Sequence, residues 1–225
     1  MREIALDTET TGLNPKSGHR VVEIGCVEMT NHIATGEVFH VYINPQRDMP
    51  QEAFNVHGLS EEFLKDHPVF SSVVDDFLDF IGDAPLVIHN AAFDMGFVNW
   101  ELENLGKPPL EMSRSIDTVQ MARKKFPGAQ ANLNALCRRF GIDNSDRQLH
   151  GALLDARLLA DVYLELMGGR QTGLGLGVEE NAEVETEIQI EKRQLREARV
   201  FAPTADELTV HAEFISTLKD PLWNA

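Results

Sequence analysis

The sequence predicts an α/β domain built on a mixed sheet, and three observations carry that prediction. Strand-like and helix-like patterns alternate from residue 1 to residue 167 without low complexity. Two runs rich in β-branched and apolar residues, Val21 to Thr30 and Val38 to Ile43, flank the turn chemistry of Asn31 to Gly36, which reads as an antiparallel hairpin. Strand-then-helix units follow it, so helices must pack on strands of both directions.

In chain order, Arg2 to Leu6 is a short buried strand ahead of the hairpin. Ser71 to Ile81 places Val73, Val74, Phe77, Leu78 and Ile81 at helical spacing, which predicts one apolar face. Pro85 to His89 is a short apolar strand. Ala92 to Leu105 is a helix stopped by Gly106 and Pro108. Asn132 to Phe140 is a helix ended by Gly141, and Ala152 to Met167 a longer one ended by Gly168 and Gly169. Composition changes there. Residues 168 to 199 form a glycine-rich, then acidic, linker, and residues 200 to 225 a tail. In the tail, Thr204 to Glu207 is a capping box, followed by Leu208, Ala212, Ile215 and Leu218 on one stripe and an apolar end at Trp223.

Charge excludes one function class. The chain of 225 residues has 20 basic and 36 acidic side chains, a net charge of −16, which disfavours a protein that grips phosphates by charge alone. Residues 1 to 167 hold 14 basic and 25 acidic residues, so the acidity lies mostly in the compact part, where it invites cations. Cys26 and Cys137 are far apart with no paired-cysteine spacing, which argues against a zinc ribbon or disulfide framework and fits a reducing compartment. The start carries acids before any long apolar run, and no stretch reaches the length of a membrane span. A cytoplasmic protein is expected.

Four acids fall at element boundaries. Asp7 and Glu9 are two apart at the end of the first strand, where period-two geometry points both to one side, and Thr10-Thr11-Gly12 keeps them at an edge. Asp94 starts a helix directly after a strand; alone it would be read as a helix cap. Asp155 lies in the long helix with His150 just upstream. Clustered carboxylates repel, and a pair of oxygen-seeking divalent cations, Mg²⁺ or Mn²⁺, removes that cost. Two such ions can hold the attacking and leaving oxygens of a phosphoryl displacement. His150 adds a group that titrates near neutrality and can take a proton from the attacking water.

The segments Asp7-Thr-Glu9-Thr-Thr-Gly12, His89-Asn90-Ala-Ala-Phe-Asp94 and His150-Gly-Ala-Leu-Leu-Asp155 resemble the three motifs of the DnaQ-like, DEDDh 3′→5′ exonucleases, and Glu52 to Gly58 resembles a further stretch of that family. The resemblance covers residues 1 to 167 densely and the tail more loosely. It implies a ribonuclease-H-like fold with a five-stranded mixed sheet flanked by helices. It implies that Asp7, Glu9, Asp94 and Asp155 hold two divalent metals and that His150 is the general base. It also implies that Thr10, Leu13, Glu52, His57 and Phe93, with Asp7, Glu9 and Asp155, meet the terminal nucleotide of a DNA 3′ end. Leu13 and Phe93 could stack on the last base; Phe93 reads equally well as core, and His57 as a helix cap.

The expected activity is proofreading: a mispaired terminus frays at lower cost and so reaches a single-strand site more often. The rivals are an RNA 3′-end trimmer of the same superfamily and a non-catalytic polymerase adaptor. The tail is expected to dock on the polymerase subunit, because a lone amphipathic helix of this length is marginal in water. Gln171, Leu174 and Leu176 resemble the clamp-binding peptides of bacterial replication proteins, making the sliding clamp a second expected partner. A further small accessory subunit is left open.

Overall fold

The computed structural model describes residues 1–147, 149–169 and 202–219. The chain divides into two compact units, Met1–Gly177 and Val178–Ala225.

The first unit carries a five-stranded sheet in the order β3-β2-β1-β4-β5. Strand β1 (Arg2–Thr10) is central, antiparallel to β2 (Val21–Thr30) and parallel to β4 (Leu86–Ile88). β3 (Ile33–Tyr42) closes the hairpin, and β5 (Ser115–Asp117) runs parallel to β4. The expected hairpin is present but tighter than the sequence suggests. Its turn is only Asn31 and His32, both at positive φ (51° and 68°), a pair that suits a two-residue hairpin turn. β1 also runs beyond Leu6 to Thr10. Its polar end hides it from an apolar-run criterion, although Thr8, Glu9 and Thr10 are all buried.

Helices cover both faces. On one side α3 (Phe70–Ile81) and α4 (Ala91–Asn104) pack on Ile4, Leu6, Ile24 and Ile88. On the other, α5 (Thr118–Lys125), α6 (Leu133–Phe140) and α7 (Ala152–Leu166) enclose Ala5, Val27, Met29 and Val87. The alternation of β1 thus sends Ile4 and Leu6 to one core and Ala5 to the other. Two short helices, α1 (Gln51–His57) and α2 (Glu61–Lys65), precede α3.

Gly25 sets how close α7 comes. A Cβ at this position would lie 2.3 Å from the Ala152 carbonyl carbon and 2.3 Å from the Leu153 nitrogen, so the first turn of α7 rests directly on β2. Gly25 is the cross-strand partner of Asp7, which brings that turn to the carboxylate end of β1. The register shifts between Glu9 and Thr10, a bulge of the kind that re-aims side chains beside active sites.

In the second unit α8 (Ala205–Ser216) begins with the expected capping box of Thr204 and Glu207. Leu208 is exposed and Ile215 buried, while Leu218 falls beyond the helix end. Among the described residues no helix is long and apolar enough to cross a membrane. Gln171, Leu174, Leu176 and Trp223 lie outside the described residues.

Candidate active site

The end of β1, the starts of α4 and α7, α1 and the loop after β1 surround one cleft of about 630 Å³. All five expected catalytic residues line it: Asp7, Glu9, Asp94, His150 and Asp155. Asp7 and Glu9 project from the C-terminal end of the central strand, on the face that carries α7. Asp94 is not the cap of α4. Asn90 holds that place in a left-handed conformation (φ 73°), and Asp94 stands in the first turn, where its Oδ1 accepts from the Thr8 N–H (3.0 Å) and the Thr8 hydroxyl (2.7 Å). Asp155 sits in the first turn of α7, where a helix N-terminus favours negative charge. His150 is half-exposed at the mouth, its backbone N–H donating to Val56 O at 3.0 Å.

The electrostatics are those of an under-compensated acidic cage. Loss of water pushes the Asp7 carboxyl well above its ordinary range, and the neighbouring charges of Asp94, Glu9 and Asp155 add to it. Glu9 is pushed up to about 8, first by burial and then by Asp155, Glu23 and Asp94. Burial raises Asp94 to about 7 against the hydrogen bonds from Thr8, which favour its charged form. Burial and the adjacent Arg147 guanidinium hold the His150 pKa below its usual value, opposed by Asp155. Four hard oxygen donors from three elements, those of Asp7, Glu9 and Asp94 pushed upward in pKa chiefly by burial, fit divalent cations. Glu9, His150 and Asp155 also present ligand atoms within 4.8 Å of one another.

The residues expected to meet a nucleotide are all in the cleft wall, in different settings. Leu13 is 85% exposed, free to touch a base. Its loop is tied down: Thr11 N–H donates to Arg20 O, and the Arg20 guanidinium grips the buried Glu101 at 2.6 and 2.7 Å. Thr10 is buried and its hydroxyl donates to Gly12 O, so it shapes that loop. Phe93 packs on the core and against Phe97, as its core reading expects, and it also lines the cleft. Glu52 is exposed in the first turn of α1. His57 ends the same helix. Its Nδ1 accepts from Leu59 N–H at 3.0 Å, a capping role, while its buried Nε2 has no hydrogen-bond partner among the described residues.

Sequence reasoning missed two residues here. His89 lines the cleft with Nδ1 2.9 Å from the Thr118 hydroxyl, and burial lowers its pKa. It was in view as part of a motif, but nothing in the spacing gave it a role. Arg147 went unnoticed altogether, although it is the only Arg or Lys lining the cleft among the described residues. Its Nε and Nη2 hold the two Asp155 oxygens at 2.5 and 2.6 Å. A lone basic residue three positions before His150 was the only available signal.

The exonuclease family model matches residues 4–163, which sets the class of protein that this sheet and cage define. The DNA polymerase III subunit epsilon of Rickettsia conorii is 53% identical over 223 residues, covering 97% of this chain and 96% of that protein. Its counterpart in Escherichia coli K12 is 46% identical over 220 residues, covering 93% and 90%. The chain therefore belongs to the DNA polymerase III epsilon family of exonucleases, in which metal dependence is typical. Two solved structures show the same ribonuclease-H-like fold. Exonuclease X with 5′-overhanging duplex DNA aligns at TM-score 0.58 and 24% identity over 73% of this chain and 90% of its own. The nuclease domain of 3′hExo, a DEDDh family member bound to rAMP, aligns at TM-score 0.64 and 17% identity over 74% and 91%.

Proposed function

We infer that this chain removes mispaired 3′-terminal nucleotides from DNA as the proofreading 3′→5′ exonuclease of a replicative polymerase. The observation that carries the reading is the convergence of Asp7, Glu9, Asp94 and Asp155 in one cleft with His150 at its mouth. Those four carboxylates would hold two divalent ions, Mg²⁺ or Mn²⁺, whose chemistry is to neutralise charge on the attacking and leaving oxygens. His150 takes the proton of the attacking water. Its depressed pKa keeps the imidazole neutral and able to accept at neutral pH. Leu13, exposed on a tethered loop, and Phe93, braced by the core, grip the last base from its faces. This contact tolerates any sequence, so selection falls on ends that fray. Thr10 fixes the loop, and Glu52 and His57 supply polar contacts to the sugar and phosphate.

The test is turnover on a single-stranded DNA oligonucleotide with Mg²⁺, beside an RNA of the same sequence. Rapid release of deoxynucleoside 5′-monophosphates is expected. Preference for RNA would favour a trimming enzyme, and inactivity on both an adaptor. A second role for His150 has one observation behind it, the close approach of its ring to Glu9 and Asp155, which could make it a ligand instead of the base. Loss of metal affinity in His150→Ala would decide for that role.

The division into an exonuclease domain (1–167), a linker (168–199) and a docking tail (200–225) is part of the same proposal. The tail would bind the alpha subunit through the α8 face around Leu208, and residues 171–176 would bind the sliding clamp weakly. Membership in the epsilon family and the exposed apolar side chains Leu208, Val210 and Phe214 support the first of these. The chain would act in the cytoplasm, where the replicating chromosome of a bacterium lies.

A further inference from the structure

We propose that Arg147 is a built-in counter-cation that covers Asp155 and His150 and must be displaced before divalent metal can enter the cage. The proposal rests on the metal-cage reading above. The Arg147 side chain is only 7% exposed, and every arm of its guanidinium is engaged. Nε and Nη2 meet Asp155 Oδ1 and Oδ2 at 2.5 and 2.6 Å, Nη2 lies 3.0 Å from His150 Nδ1, and Nη1 donates to Asn134 Oδ1 at 2.8 Å. Both carboxylate oxygens of Asp155 are thus in use by one two-pronged donor. A cation that needs either oxygen must compete with that fork.

The guanidinium also donates to the lone pair of a ring nitrogen of His150, and that lone pair is unavailable for a proton while the contact lasts. One displacement therefore frees a ligand and the base together. Arginine suits the task better than lysine, being permanently charged and shaped to meet both carboxylate oxygens at once. It also sets a fixed positive charge, the only Arg or Lys on the cleft wall among the described residues, where the acids crowd. Metal uptake becomes an exchange of one cation for another, and its affinity is set partly by the strength of the fork.

The experiment is calorimetric titration of Mg²⁺ and of Mn²⁺, each alone, into the full-length wild-type chain and its Arg147→Gln and Arg147→Lys variants. Losing one bidentate charged contact predicts about tenfold tighter metal binding in Arg147→Gln. Arg147→Lys, which keeps the charge without the fork, should fall between. In ¹⁵N-labelled wild-type protein the Arg147 Nε–H resonance should be protected from exchange without metal and lose that protection as metal saturates. Equal or weaker affinity in Arg147→Gln, or an Nε–H signal that metal leaves unmoved, overturns the proposal. Wild-type protein that takes up neither ion removes the metal cage itself, and the proposal with it. That result is distinct from equal affinities. Should Arg147→Gln fail to fold, the Lys variant and the wild-type resonance still decide.

Discussion

Strand β1 carries acidic side chains at both ends of the face that packs on α7, and the two ends are built in opposite ways. At the N-terminal end Glu3, 1% exposed, is answered completely by the protein. The Tyr163 hydroxyl donates to one oxygen at 2.8 Å, the His32 N–H to the other at 3.1 Å, and His32 Nδ1 stands 2.9 Å from it. At the C-terminal end Asp7 and Glu9 accept no hydrogen bond from the described residues, and their carboxyls are pushed upward in pKa. Burial alone therefore does not mark function, since the more buried acid is the structural one. An acid withdrawn from water and left without donors marks a place reserved for something else.

The largest expected effect belongs to the unanswered end. Asp7→Ala or Asp155→Ala should lower exonuclease turnover by more than about 10³-fold, the scale of losing charge stabilisation at the reacting centre. Circular dichroism should meanwhile show a folded domain. For Asp7→Ala, the metal-free melting temperature should hold or rise as repulsion is relieved. Turnover at the wild-type level in either variant would break the distinction between the two ends.

Next, His150→Ala should cost roughly 10²–10⁴-fold in kcat, the usual worth of a general base. Metal affinity, measured by titration calorimetry, should persist.

At the answered end the consequence is stability, not rate. Tyr163→Phe leaves a Glu3 oxygen without its donor and should cost about 1–3 kcal/mol in urea denaturation, while kcat stays within twofold. A variant as stable as wild type but slow would show that the Glu3 end also serves catalysis.

The smallest effect sharpens the electrostatics. Glu9 titrates near 8 when folded against an ordinary 4.5, so between those values the folded chain holds a proton that the unfolded chain has lost. That contribution is fully present below about pH 4.5 and drains away as pH rises through about 8. The metal-free melting temperature should therefore fall by on the order of 5 °C across that window. Glu9→Gln or saturating Mg²⁺ should flatten the slope. An upward slope in metal-free wild type would contradict the assignment.

The acids themselves were legible because their spacing matches motifs whose local geometry travels with the sequence: two positions apart on a strand, or just inside a helix after a strand. The long elements were legible for a related reason, since α3 and α7 repeat their apolar positions over several turns. What stayed hidden depends on contacts between distant segments. β5 is three residues long and half-buried, too short to show a period, and α1 presents mostly exposed side chains. Glu3 meets Tyr163 across 160 positions, and nothing local distinguishes it from the solvated glutamates around it. Gly25 reads as a blemish in a strand until the backbone of α7 is seen lying against it.

The hairpin turn at Asn31 and His32 has a reach well beyond its two residues. Because it allows no slack, it indexes β3 against β2, pairing Thr30 with Ile33. It also clasps β1, with Asn31 N–H donating to Met1 O and His32 N–H to Glu3, in the register that pairs Arg2 with Thr30 and, further along, Asp7 with Gly25. A strand slipped by one position would present the opposite set of side chains, turning Thr8 and Thr10 toward α7 and sending Asp7 and Glu9 into the apolar core. His32 guards that count, since its N–H reaches Glu3 only when the strands are in step. The turn is thus a ruler whose zero mark lies at one end of the sheet and whose reading is taken at the other, where the acids must arrive on the right side.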